Sequence, residues 1–177
     1  CWTLALQYMP KGFQLTTTWG QRLSNKLFGN YYVPPGCNYT LGYWKTHSTF
    51  GPAAHPDDTW YELSALGPDT LFFDSGMTWY EVFWTNPKGG NAWYQLAHQY
   101  MAAQLNIFNG SSGAVLGTAL ADAAFLLDKY DLEKNIPKGD PDRARALELA
   151  YLLDDFNNGY LGIPHCGESG YAGQTYR

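Results

Sequence analysis

Charged side chains are scarce in this sequence. Asp, Glu, Lys and Arg make up 15% of its 177 residues, against roughly 25% in an average globular domain. Aromatic residues make up 17%, so many aromatic and neutral polar side chains must lie near the surface. Surfaces of this kind suit contacts with other proteins or stacking on sugars. The net charge of −5 disfavours binding to a polyanion, so we expect no nucleic-acid partner.

Acidic residues are missing from the first 56 positions, whose four charged side chains are all basic: Lys11, Arg22, Lys26 and Lys45. Residues 57–177 carry the other seven basic residues and all sixteen acidic ones. A cationic start and an acidic remainder attract each other, either within one molecule or between neighbouring molecules. A charge bias without any function is the alternative explanation.

The sequence also lacks the motifs that mark common enzymes and metal sites. It contains no H-E-x-x-H or C-x-x-C spacing, no G-x-S-x-G, no phosphate-binding loop and no dinucleotide fingerprint. We therefore expect no catalytic residue, no metal site and no cofactor. The carboxylates that a two-acid glycosidase or a calcium site would need are present without a decisive spacing: Asp57, Asp58, Asp74, Glu81, Asp154 and Asp155. No apolar run reaches the roughly 18 residues of a membrane span, so we expect no transmembrane segment.

Cysteine occurs only three times. In an oxidising compartment two cysteines should pair, and one should be left over. Cys37 and Cys166 are the natural pair because they bracket nearly all of the helical pattern described below. Closing so long a loop contributes on the order of 4–5 kcal/mol in the chain-entropy model. Cys1 would then carry a lipid or an intermolecular disulfide, and a free thiol is the alternative.

Residues 1–36 have the alternating pattern of β-strands. Two segments alternate with period two, and Pro10-Lys11-Gly12 separates them. Their apolar positions are Trp2, Leu4 and Leu6 in the first segment and Phe13, Leu15 and Trp19 in the second. We predict a hairpin or one long bent arm that ends in a proline-rich linker before Cys37. Because an isolated hairpin is marginal in water, this arm must pack on its own domain or on a neighbouring subunit.

Residues 37–177 have the pattern of a helical module, so the chain is expected to be mainly α, or α+β overall with the arm. We predict two short helices near 59–65 and 79–85, both starting with a capping box, and a short strand over 70–73. Three long helices are predicted over 91–108, over 114–129, and from Asp140 to a stop at Asn157-Asn158-Gly159. His98 lies inside the first of these long helices and is expected to be structural.

One aromatic cluster is a candidate ligand site. Tyr43, Trp44 and His47 lie close together in the chain, so the two aromatic rings could stack on a sugar and His47 could bind a metal ion. The favoured interpretation is a loop that anchors the core beside the disulfide, with Trp44 buried.

Two Asn-x-Ser/Thr triplets are candidate N-glycosylation sites. They begin at Asn38 and Asn109, and both lie in predicted turns. Such triplets also arise by chance, and they have no effect in a source that does not glycosylate asparagine.

Several separated motifs together resemble one family. The segment from Cys37 to His47 reads C-N-Y-T-L-G-Y-W-K-T-H, and it is followed by L-A-H-Q at 96–99, N-N-G at 157–159 and H-C at 165–166. This order resembles a family of secreted bacterial domains with the pattern C-x-Y-T-x-G-Y-W-K-x-H, then L-A-H-Q, N-N-G and H-C. The resemblance implies export and a bond between Cys37 and Cys166, and it supplies no catalytic residues. Residues 1–36 lie outside the pattern.

These observations lead to a functional expectation. We expect an extracellular structural subunit whose arm adds to a neighbour by strand pairing, building a fibre or surface layer head to tail. Burial of the six apolar arm side chains would contribute on the order of 10 kcal/mol before association costs. The alternative is a monomeric secreted module that binds glycans or mediates adhesion through exposed aromatic residues. A secreted hydrolase ranks third.

Overall fold

The computed structural model describes residues 7–9, 12–14 and 36–167. The chain divides into two units, Cys1–Val33 and Pro34–Arg177. In the first unit, strands β1 (Gln7–Met9) and β2 (Gly12–Gln14) pair antiparallel, and Tyr8 lies opposite Phe13 in the register. The other arm residues that the sequence singles out lie outside the described residues: Cys1, Trp2, Leu4, Leu6, Leu15 and Trp19.

Helices dominate the second unit, as the sequence predicts. The α-helices are α1 (Leu41–Thr46), α2 (Trp79–Trp84), α3 (Ala92–Phe108), α4 (Ala119–Lys129) and α5 (Pro141–Asn157). Short 3-10 segments join them at Asp58–Glu62, Gly67–Asp69, Lys88–Gly90 and Gly113–Leu116. The two longest helices, α3 and α5, form the largest contact between elements. The mainly α architecture is therefore confirmed.

Local capping chemistry sets several helix starts. At α2, Thr78 Oγ1 accepts a hydrogen bond from the Glu81 amide, and the Glu81 carboxylate accepts one from the Thr78 amide. This reciprocal pair is the predicted capping box. At α5, the Asp140 side chain caps the first turn and Pro141 follows at the first helical position, where its missing N–H costs nothing. Both starts lie where the sequence predicts them.

The predicted helix near 59–65 is wrong in type and in its cap. Asp57, two residues earlier than expected, accepts a hydrogen bond from the Thr59 amide at 2.9 Å. It starts only a 3-10 turn, Asp58–Glu62. Because Asp57 caps the turn at the Thr59 amide, Thr59 lies inside the 3-10 segment, and the capping pattern that begins at Thr59 is not used.

Three further elements differ from the prediction. Helix α4 begins at Ala119 instead of Ala114, because Gly117 adopts φ 53° and ψ −120° and interrupts the helical path. The predicted strand over 70–73 reduces to a single bridge between Leu71 and Thr78. The segment around Tyr43 and Trp44, which the sequence analysis interprets as a loop, forms helix α1. Thr40 caps this helix by accepting a hydrogen bond from the Tyr43 amide.

Helix α3 runs through the centre of the hydrophobic core. On it, Ala97, Met101 and Leu105 are completely buried, whereas Phe108 at its end remains 39% exposed. Contacts with α1, α2, α4 and α5 cover α3 on several sides, so Trp93 and Leu96 are also fully buried. The position of α3 explains why polar side chains on it also become buried.

Candidate functional site

A disulfide closes the helical unit. Cys37 and Cys166, the pair that the sequence indicates, are bonded across a separation of 129 residues. Beside them the backbone pairs in parallel: the Asn38 amide donates to Pro164 O at 2.9 Å, and the Cys166 amide donates to Asn38 O at 2.8 Å. The two ends of the unit are thus held by one covalent bond and two hydrogen bonds.

Next to the disulfide lies what we call the asparagine network, formed by Asn38, Asn106 and Asn157. All three side chains are fully buried. Asn106 Oδ1 accepts from the Tyr39 amide at 2.8 Å and from Trp44 Nε1 at 3.0 Å. Its Nδ2 donates to Tyr39 O at 2.9 Å and to Asn157 Oδ1 at 3.0 Å. One side chain of α3 therefore ties together the entry segment, α1 and α5.

The asparagine network continues to the protein surface. Asn157 Nδ2 donates to Gln99 O at 3.0 Å and to Gln99 Oε1 at 2.9 Å. Gln99 Nε2 donates to Asp154 Oδ1 at 2.8 Å, and Asn158 Nδ2 donates to the same oxygen at 3.1 Å. Residues from the L-A-H-Q and N-N-G motifs thus hydrogen-bond to one another, a role that the motifs alone did not indicate.

The structure argues against Asn38 as a glycosylation site. Its side chain is fully buried, and Nδ2 donates to the Phe156 carbonyl. A glycan on this nitrogen would replace that hydrogen bond and would have no space in the folded unit. Asn109 lies exposed directly after α3.

The Tyr43, Trp44 and His47 cluster does not form an open ligand site. Trp44 is fully buried. The Tyr43 ring is stacked between Tyr39, at a centroid distance of 3.7 Å, and His47, at 3.9 Å, so neither of its faces is open to a sugar. Burial and the hydrogen bond from its hydroxyl to Asp57 raise the pKa of Tyr43. The core-anchoring interpretation agrees with this packing, but on a helix and not on a loop.

His98 has the structural position expected for it. The ring is 7% exposed, and Nε2 donates to Val82 O at 2.8 Å. Burial lowers the pKa of His98, against the raising effect of the Val82 carbonyl. The ring is therefore neutral at neutral pH.

A surface cleft lies between α3 and α5, and we call it the α3–α5 cleft. It has a volume of about 250 Å³ and joins polar side chains, among them Gln95, Gln99 and Asp154, to apolar ones from α5, from α1 and from Pro87. Tyr151 stands at its edge with 72% of its surface exposed. No motif of the sequence indicates this cleft, because its only local signal is the spacing of Tyr151 and Asp154, about one turn apart on α5.

The candidate carboxylates do not assemble into a site. Asp57 and Glu81 act as helix caps, and Asp154 belongs to the asparagine network. Within the described residues, no group of His, Cys, Asp and Glu side chains has the arrangement of a metal site. No helix of the described part is long and apolar enough to cross a membrane.

Comparison with known proteins returns no relative: no protein-family model, no curated protein and no solved structure matches this chain. The resemblance to secreted bacterial domains therefore stays a prediction that rests on the motifs.

Proposed function

We propose that this protein is an extracellular structural subunit without catalytic activity, which assembles head to tail through residues 1–36. The observation that supports this proposal best is the use of the motif residues. Asn106 bonds to Asn157, Asn157 bonds to Gln99, and Asn38 bonds to the Phe156 carbonyl, while Trp44 and His98 are buried. The side chains that the sequence singles out thus build a scaffold.

The bond between Cys37 and Cys166 supports an extracellular location. Disulfides persist in oxidising compartments and are rare where thiols are kept reduced. In a subunit of a fibre or surface layer, such a bond keeps the unit folded outside the cell, where no chaperone is at hand.

Charge and exposed apolar surface support assembly. The acid-free first 56 residues are cationic, whereas all the acidic residues lie after them. Large apolar side chains stand exposed on the helical unit, among them Phe125 at 66% and Leu132 at 73%. A basic, apolar arm matches an acidic surface with exposed apolar groups. A contact between unlike surfaces joins subunits head to tail, and it builds a filament when the rotation between them does not close a ring.

Negative-stain electron microscopy of the secreted full-length chain tests the proposal. We expect fibres or sheets of regular repeat from the unmodified chain. The double variant Leu6→Asp with Leu15→Asp should give single particles whose circular dichroism and melting temperature equal those of the unmodified chain. Single small particles from the unmodified chain at all concentrations would contradict assembly.

Cys1→Ser separates the covalent part of the joint from the rest. Reductant alone would also cleave the bond between Cys37 and Cys166, so the variant is the cleaner test of an intermolecular disulfide. We expect Cys1→Ser fibres that are shorter and dissociate on dilution.

A further inference from the structure

We propose that the α3–α5 cleft binds one sugar ring of a glycan that carries no acidic group. This inference goes beyond assembly and does not depend on it. It places a ligand site on the helical unit at the outer end of the asparagine network, and not at the Tyr43 cluster.

The ring of Tyr151 forms an aromatic platform at the edge of the cleft. Tyr151 is 72% exposed although it lies on α5, whose other face is buried against α3. An exposed aromatic ring beside a concave surface can cover the C–H face of a sugar while its hydroxyl stays in water. Leu147, one turn before Tyr151, and Pro87 add apolar surface to the same cleft.

The carboxylate of Asp154 is held in a fixed orientation beside this platform. Asp154 Oδ1 accepts from Gln99 and Asn158, whereas Asp154 Oδ2 has no donor among the described residues. The carboxylate is thus fixed in orientation by a network that reaches the core, and one oxygen remains to accept from a ligand. A group held in place before binding loses little entropy on binding. Gln95, whose amide makes only a long 3.4 Å bond to Asn91 O, offers a second polar contact.

The volume of the α3–α5 cleft limits the size of its ligand. Pockets for drug-sized ligands measure roughly 300–1,000 Å³, and this cleft has about 250 Å³. One sugar ring suits such a space. The groove for a partner helix would need a continuous apolar surface, but Gln95, Gln99 and Asp154 interrupt the apolar lining here.

Charge decides which sugars are accepted. Asp154 is an acidic lining residue, and no Lys or Arg lines the cleft. His98 also lines the cleft, but Nε2 donates to Val82 O and burial lowers the pKa of the ring, so it offers no positive charge either. The Asp154 carboxylate would repel a uronate or a sulfated sugar. It would not repel a neutral sugar, and it would attract the ammonium group of an amino sugar.

Isothermal titration calorimetry with three trisaccharides tests this assignment on the full-length chain. The probes are a neutral trimer of glucose, a cationic trimer of glucosamine and an anionic trimer of galacturonic acid. We expect the glucosamine trimer to bind more tightly than the glucose trimer and at least tenfold more tightly than the galacturonic acid trimer. Tyr151→Ala should weaken binding of the glucose trimer at least tenfold. Asp154→Asn, which keeps the Oδ1 acceptor, should remove the preference for the amino sugar.

Tyr160→Ala is the matched control, because Tyr160 is 75% exposed and does not line the cleft. It should change binding less than twofold. The assignment is overturned if none of the three sugars gives a heat at millimolar concentration, or if Tyr160→Ala weakens binding as much as Tyr151→Ala. It is also overturned if a synthetic peptide of residues 1–20 binds and Tyr151→Ala abolishes that binding while the sugars remain inert, because the cleft would then belong to assembly.

Discussion

Asn106 and Asn157 meet in the centre of the helical unit, where the side-chain amide of Asn106 donates to Asn157 Oδ1 at 3.0 Å. One residue lies on α3 and the other ends α5, and neither side chain reaches water. A buried amide that loses its partner keeps the full cost of its desolvation. The contact between the two longest helices therefore depends on polar matching as well as on apolar packing.

Asn106→Ala should destabilise the protein strongly. It removes hydrogen bonds to Tyr39, Trp44 and Asn157 and leaves their buried groups unpaired. At about 1–3 kcal/mol for each such group, we expect the free energy of unfolding to fall by at least about 3 kcal/mol in a urea titration. Asn109→Ala, at an exposed position, should change it by less than about 0.5 kcal/mol. Equal effects of the two variants would contradict the role of the network.

Loss of the disulfide should lower stability through the unfolded chain. With a separation of 129 residues, the chain-entropy model assigns the Cys37–Cys166 bond about 5 kcal/mol. The double variant Cys37→Ala with Cys166→Ala should melt far below the unmodified protein, and reductant should not change it further. Cys1→Ser should leave the melting temperature of dispersed protein unchanged. A double variant as stable as the parent would show that the parallel pairing at Asn38 suffices.

Stability should fall in mild acid because of His98. Burial lowers its pKa below the ordinary 6.5, so below pH 6.5 the unfolded chain binds a proton that the folded protein does not. This contribution is complete above the unfolded-state pKa and is lost as the pH falls toward the folded-state value. His98→Gln can still donate to Val82 O and should reduce the slope of unfolding free energy between about pH 5 and 7. His55→Gln, at an exposed position, should keep the slope; identical slopes in all three proteins would exclude His98 as the cause.

The two predicted capping boxes should respond differently to mutation. Thr78→Ala removes a cap that is present and should cost about 0.5–2 kcal/mol. Thr59→Ala removes no cap, because Asp57 fills that role, and it should cost less than about 0.5 kcal/mol. Urea titrations of both variants test this difference, with Asp57→Ala for comparison, which removes the observed cap and also the acceptor of the Tyr43 hydroxyl. A larger loss from Thr59→Ala than from Asp57→Ala would contradict the observed cap.

Gly159 should tolerate a side chain less well than Gly162. Both have positive φ, 82° and 87°, so either substitution by Ala costs roughly 1–2 kcal/mol from backbone strain. A Cβ at Gly159 would also lie 2.7 Å from the His165 amide nitrogen, whereas one at Gly162 would meet nothing within 4 Å. Gly159→Ala should therefore be the more destabilising in thermal melts. Equal losses would mean that the backbone near His165 relaxes easily.

Much of the local structure could be predicted because its causes are local. The cap at Asp140 and the capping box at Thr78 both depend on side chains within a few positions. The predictions fail where another residue caps the turn, as Asp57 does two positions before Thr59, or where one glycine, Gly117, leaves the helical conformation.

What the sequence determined by itself is therefore the helical class of the unit, several helix starts, and a pairing of two cysteines that bracket the helices. The burial of Asn38 against the Phe156 carbonyl, and the meeting of Gln99 with Asp154 beside Tyr151, arise only in the folded chain. These relations join positions far apart in the chain. They follow from the packing of α3 against α5, which places each side chain by distances that no local pattern encodes.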